Sequence, residues 1–139
     1  MKATIKWTGD ASFSGEADSG HTVVMDGAPE FGGRNQGHRP MELVLIGMGG
    51  CTAFDVVSIL RKSRQDVTDC VAEIEAERAD TIPKVFTRIH VHFIVSGRGL
   101  DPNKVARAVE LSGNKYCSAS RMLAKTAHIT HDYEIIAIP

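Results

Sequence analysis

Apolar and polar positions follow three regimes along the chain, and each predicts a different kind of element. From Ala3 to Asp26 the pattern comes in short β-like runs, Thr4-Ile5-Lys6-Trp7, Ser12-Phe13-Ser14-Gly15 and Thr22-Val23-Val24-Met25, broken at Gly9-Asp10 and Asp18-Ser19-Gly20. Turn residues at such short intervals predict a three-stranded antiparallel meander. Gly27 to Arg39 holds four glycines, a proline and two arginines without periodicity, which predicts a long loop. Loops beyond about 12 residues in a compact domain are more often functional than idle.

From Pro40 to Lys62 the period becomes helical, with Pro40 at a first-turn position and Leu43, Ile46, Gly47, Gly50, Phe54, Val57 and Leu60 at helical spacing. Val44, Leu45, Met48, Val56 and Ile59 occupy the other faces, so the helix is apolar nearly all round and must be covered nearly all round. It is expected to be the central element of the fold or to pack on its own symmetry mate, with Gly47, Gly49 and Gly50 letting a second backbone approach.

Val71 to Arg78 alternates, Ala72, Ile74 and Ala76 against Glu73, Glu75 and Glu77, as a half-buried strand does. Val85 to Val95 repeats this, with Val85, Thr87, Ile89, Val91, Phe93 and Val95 expected inward and Phe86, Arg88, His90, His92 and Ile94 outward. Pro83 falls in the turn of this antiparallel pair. Asp101-Pro102 starts a helix whose inward stripe is Val105, Ala108, Val109 and Ser112, and Gly113-Asn114 is expected to end it. A short helix at Ser118 to Lys125 and a last strand at Ile129 to Ile138 complete an α+β chain. No repeat or linker divides it, and 139 residues are expected to form one domain.

A formal charge of -1 provides no field to draw the chain onto nucleic acid or an anionic membrane. No stretch is expected to span a bilayer, and the start Met1-Lys2-Ala3-Thr4-Ile5 lacks a signal peptide's apolar run, so a cytoplasmic location is expected. Cytosolic thiols stay reduced, so Cys51, Cys70 and Cys117 are buried, catalytic or metal-binding before they are structural disulfides. They form no CxxC pair, and metal-ligand spacing is absent.

Cys117 precedes Ser118-Ala119-Ser120-Arg121, at or just before a helix start, where unpaired N–H groups favour a thiolate; a small buried hydrophobe is the other reading. Cys51 sits at a helix N-terminus if Gly49-Gly50 break the long helix, and in mid-helix if they do not. Asp55, one turn on, opposes ionisation of Cys51 if it faces the sulfur. Cys70, beside Asp69, reads as structural. His90 and His92 share a strand face but have no acid or thiol spaced with them, and His21, His38, His128 and His131 are scattered, so no metal site is expected.

The segment Arg39-Pro40-Met41-Glu42-Leu43-Val44-Leu45-Ile46-Gly47-Met48-Gly49-Gly50-Cys51-Thr52 resembles the first-cysteine motif of the osmotically inducible protein C and organic hydroperoxide resistance (OsmC/Ohr) family. Lys115-Tyr116-Cys117-Ser118-Ala119-Ser120-Arg121-Met122-Leu123 is similar to its second-cysteine motif, and the wording of the first looks most like the YhfA-like branch. The resemblance implies an OsmC/Ohr-like fold in which antiparallel sheets wrap a long central helix in an intertwined homodimer with active sites at the interface.

It implies Cys51 as the sulfur that attacks an organic hydroperoxide, Cys117 as its resolving partner, and a lipoyl-like dithiol as reductant, with no metal, haem or flavin. In the peroxidase branches an arginine and a glutamate hold the thiolate. Here the residue after the motif proline is Met41, with Glu42 shifted by one, and Arg34 resembles the loop arginine in placement, with Arg39 as a second candidate. A one-residue shift on a helix turns a side chain by about 100 degrees. The leading reading is a thiol-dependent hydroperoxide reductase; the alternative is an OsmC-like dimer that binds a small hydrophobic ligand or senses redox state without turnover.

Overall fold

The computed structural model describes residues 1–139. The chain divides into two compact units, Met1–Ile46 and Gly47–Pro139. The first is built on the expected meander, β1 (Ala3–Gly9), β2 (Ser12–Ala17) and β3 (Thr22–Met25), antiparallel in that order. Register places Trp7 opposite Phe13 and Phe13 opposite Met25, with Ile5, Gly15 and Val23 in the next row. Side chains two apart share a strand face, so Ile5, Trp7, Phe13, Val23 and Met25 share one. Much of it is uncovered, Trp7 being 64% and Ile5 59% exposed.

The loop that follows is organised by one carboxylate. Buried Asp26 accepts hydrogen bonds from the backbone N–H groups of Gly27 (2.7 Å), Arg34 (3.1 Å) and Gln36 (3.1 Å). The loop thereby folds back on itself, with a short 3-10 turn at Pro29–Phe31.

Helix α1 (Pro40–Lys62) runs through Gly47, Gly49 and Gly50 without a break, so Cys51 lies in mid-helix. Its length and apolar content meet those of a membrane-crossing helix, which corrects the expectation that no stretch does. The same composition suits a core helix. Met48, Thr52, Val56 and Leu60, four residues apart, form a stripe with no exposure at all.

The second sheet holds β4 (Asp66–Arg78), β5 (Phe86–Arg98) and β6 (His128–Ala137), with β5 central. Ile89, Val91, Phe93 and Val95 of β5 are buried to within 1% of their surface, each worth roughly 1.5–3 kcal/mol of transfer free energy. At the start of β5 the expected facing is reversed: Phe86 is buried and Val85 is 39% exposed. The cause is a bulge. Glu77 pairs with Arg88 but Arg78 with Phe86, leaving Thr87 as the extra residue, its hydroxyl donating to the Glu77 carbonyl at 3.2 Å. One added residue flips every side chain beyond it to the other face.

β4 and β5 are antiparallel as expected, but β6 runs parallel to β5, so the sheet is mixed. A parallel neighbour needs a crossover of a dozen or more residues, and two helices supply it. Asp101 caps α2 (Pro102–Leu111), accepting from Asn103 N–H at 2.9 Å, and Val105, Ala108 and Val109 face the core. Gly113-Asn114 does not end the helical path; the chain widens into a π-type turn, Ser112–Tyr116, before α3 (Ser118–Leu123). Gly113 is required here because a Cβ would fall 2.3 Å from the His131 ring.

Hydrogen bonds, that of Gln36 foremost and those of Arg34 and Gly27 after it, hold the Asp26 carboxyl below its ordinary value of 3.8 against the opposing effect of burial. A depressed folded pKa stabilises above the unfolded value and loses that stabilisation as pH falls through the folded one. Asp26→Asn is therefore expected to remove the same loop protection at neutral pH. Amide exchange at Arg34 and Gln36, corrected for intrinsic rates, checks this; unchanged protection in the variant refutes the role of the carboxylate.

Candidate functional site

Three chemically capable groups meet inside the unit Gly47–Pro139. Cys51 Sγ, an Asp55 carboxylate oxygen and Cys117 Sγ all lie within 4.8 Å of one another. Cys51 and Asp55 are one helical turn apart on α1 and so share a face. Cys117 arrives from 66 residues further along the chain, carried by the π-type turn into the N-cap of α3. All three cysteines are free thiols. A closure of under about 3 Å would bring the two sulfurs to disulfide bond length.

A buried hydroxyl pair joins the elements that carry these groups. Thr52 Oγ1 and Ser112 Oγ, both without exposure, are 2.7 Å apart. The Ser112 hydroxyl also lies within hydrogen-bonding distance of the Thr52 carbonyl (2.9 Å) and of Asp55 Oδ2 (3.3 Å). Thr52 thus fixes the helix to the turn, and Ser112 orients the carboxylate beside the sulfurs. In the sequence Ser112 was legible only as one polar member of an apolar stripe. Asp55 showed as the residue one turn beyond Cys51.

Cys117 is fully buried, and its sulfur accepts a hydrogen bond from Ser120 N–H at 3.4 Å. Burial dominates and pushes its pKa up; the Ser120 side chain and N–H pull it down, and neighbouring Cys51 pushes it up again. Of the two readings open in the sequence, a helix-start thiolate and a small buried hydrophobe, desolvation favours the buried, protonated thiol. The Ser120 hydroxyl, also buried, makes no well-formed hydrogen bond. Cys70 is pushed up to about 11 by burial and by Asp69, as suits a structural thiol.

The other two expected site residues lie in the unit Met1–Ile46. Arg34 pairs with Asp10 at 2.9 Å, and Glu42 Oε1 accepts from Arg39 N–H at 2.8 Å, capping the start of α1. The Arg39 guanidinium donates to Asn35 Oδ1 and to the Gly37 carbonyl. Arg34 and Glu42 therefore form no pair with each other. The one-residue shift of the acid makes it a cap.

Histidines assemble more than the sequence indicated. Parallel pairing of β6 with β5 sets Asp132 opposite His92 and Thr130 opposite His90. Asp132 Oδ1 is 3.0 Å from His90 Nε2 and 2.6 Å from His92 Nδ1, while His92 Nε2 is 3.2 Å from Glu134 Oε2. Asp132 first, and Glu134 with it, holds His92 above its ordinary range. The acids absent from the local spacing come from the neighbouring strand. His131 is different: it stacks on Phe93 and is pushed down by burial, as a neutral core imidazole is.

Comparison with known proteins agrees with this fold. A family model described as OsmC-like protein matches residues 33–132. Protein YhfA of Escherichia coli strain K12 is 50% identical over 140 residues, covering 99% of both chains. A hypothetical protein from Aquifex aeolicus VF5 superimposes with a TM-score of 0.87 at 25% identity, over 99% of this chain and 97% of that one. The organic hydroperoxide resistance protein OhrB of Bacillus subtilis shares the fold, with a TM-score of 0.62 at 18% identity over 96% of each.

In the folded, reduced protein at neutral pH an alkylating probe is expected to label Cys51 before either Cys117, which is fully buried, or Cys70. A thiol at about 11 is ionised in roughly one molecule in ten thousand at pH 7. Peptide mapping by mass spectrometry checks the order, and Cys70 labelled first would contradict it.

Proposed function

The chain belongs to the OsmC-like protein family, and on that premise we propose that it reduces organic hydroperoxides, with Cys51 as the attacking sulfur and Cys117 as the resolving one. The observation that carries this reading is the convergence of two sulfurs and a carboxylate within 4.8 Å. Half-buried Cys51 is the more accessible thiol of the pair and takes the first step. Its sulfur attacks one oxygen of the O–O bond, the other oxygen leaves with the alcohol, and the sulfur becomes a sulfenic acid. Asp55 receives the thiol proton as the S–O bond forms and passes it to the departing alkoxide.

Cys117 then attacks the sulfenic sulfur, water leaves, and a disulfide joins the pair. A dithiol of lipoyl type restores both thiols by two exchanges and is itself oxidised to a cyclic disulfide. Such a cycle suits a reducing compartment, which supports a cytoplasmic location. The Ser120 N–H, which already reaches the Cys117 sulfur, stabilises negative charge there during resolution.

The reading is tested by following loss of cumene hydroperoxide in the presence of dihydrolipoamide. Cys51→Ser is expected to abolish turnover, Cys117→Ser to permit one oxidation without efficient recycling, and Asp55→Asn to slow the peroxide step by about 100-fold. Turnover at wild-type rate without Cys51 would refute it. Arg34 and Glu42, engaged with Asp10 and the Arg39 amide, form no thiolate-holding pair, which favours a second reading as a stoichiometric thiol sensor. One slow oxidation of the wild type, with no recycling by the dithiol, would select the sensor.

We further propose that the working form is a homodimer. Support comes from apolar side chains left open on separate elements: Phe54 at 73% and Ile46 at 52% on α1, and Trp7 at 64% on β1. Exposed apolar surface of this kind marks association sites. Light scattering coupled to size exclusion is expected to give twice the chain mass, and Phe54→Glu is expected to shift the population to monomer. A wild type that is monomeric at micromolar concentration would exclude the dimer.

A further inference from the structure

We propose that the reduced site also binds a thiophilic divalent cation of the zinc type, through Cys51 Sγ, Cys117 Sγ and an Asp55 carboxylate oxygen. This goes beyond the hydroperoxide reading and rests on geometry alone. The sequence contains no recognisable ligand spacing because two donors are one helical turn apart and the third returns 62 residues after Asp55. The fold alone brings them together, with all three donor atoms within 4.8 Å.

Two thiolates and one carboxylate form a soft, anionic donor set suited to zinc. Tetrahedral zinc, with Zn–S of about 2.3 Å and Zn–O of about 2.0 Å, places its ligands roughly 3.4–3.8 Å apart, so a contraction of about 1 Å completes the site. Three protein donors leave a fourth position for water. Zinc replaces the two thiol protons, which are released, and no electrons move.

The surroundings provide the outer contacts that metal ligands need. Ser112 Oγ sits 3.3 Å from Asp55 Oδ2 and is itself held by Thr52, fixing the carboxylate. Next to Cys117, the Ser120 hydroxyl is 1% exposed and has no hydrogen-bond partner. A metal-bound thiolate beside it would give that orphaned donor an acceptor. The same sulfurs cannot hold zinc and form a disulfide, so zinc protects the pair from oxidation and competes with peroxide.

Metal-free, reduced protein is titrated with Zn²⁺ against a chromophoric chelator, and with Co²⁺ to read the thiolate charge-transfer band. One equivalent per chain is expected, with a thiolate band, binding lost on oxidation to the Cys51–Cys117 disulfide, and affinity at least tenfold lower in Cys51→Ser, Cys117→Ser and Asp55→Asn. Ser112→Ala, which keeps every donor, is expected to weaken binding about tenfold. Circular dichroism establishes that each variant is folded.

Full affinity in the Cys51→Ser/Cys117→Ser double variant overturns the proposal, as does binding lost only in His90→Ala/His92→Ala, or no binding by the folded reduced wild type. The titration contains neither peroxide nor dithiol, so its failure leaves the hydroperoxide reading intact. Failure of peroxide turnover likewise leaves the metal site standing.

Discussion

The buried hydroxyl pair of Thr52 and Ser112 is the contact on which the site depends. It ties the helix carrying Cys51 and Asp55 to the turn that delivers Cys117, and both hydroxyls are fully enclosed at 2.7 Å. In an apolar setting an unpaired hydroxyl costs free energy, and Ser112 is the partner that satisfies the Thr52 hydroxyl there. This makes the juncture specific where greasy packing would permit sliding. Thr52 continues the stripe of Met48, Val56 and Leu60, so one helix face both fills the core and locks the site.

Sheet chirality and connection length then decide what reaches that juncture. Because β6 lies parallel to β5, the chain must travel back along the sheet, and the return path contains α2, the π-type turn and α3. Cys117 sits on that path. The turn is wider than a continuing α-helix, and Gly113 at its start lets the backbone pass against the His131 ring. The same parallel register that requires the crossover also stacks His90, His92, Asp132 and Glu134 on the outer face.

Electrostatics at the sulfurs are a balance in which burial prevails. Ser120 directs its N–H at Cys117, yet desolvation keeps that thiol protonated more readily than a free one. A buried thiol that stays protonated is protected from adventitious oxidation. The acid and arginine of the N-terminal unit serve other ends: Glu42 closes the first turn of α1 and Arg34 pairs with Asp10. Asp55 is thus the carboxylate that the Gly47–Pro139 unit itself places at the sulfurs.

Local rules in the chain were sufficient for most elements. The meander, the loop beginning after Asp26, the helix from Pro40 to Lys62 and the Asp101 cap follow from periodicity, turn residues and capping chemistry, all interactions between near neighbours. Both cysteine motifs were also readable. What no local rule contains is the bulge at Thr87, which reversed Phe86 and Val85, and the parallel placement of β6. Pairing between strands settled both, β4 with β5 for the bulge and β5 with the distant β6 for the parallel edge. The meeting of Cys51, Asp55, Ser112 and Cys117 is likewise a product of tertiary packing, whereas the Glu42 cap is a contact three residues along the chain. A side chain's partners across 60 residues depend on how the chain closes its loops, and that is decided by the whole core at once.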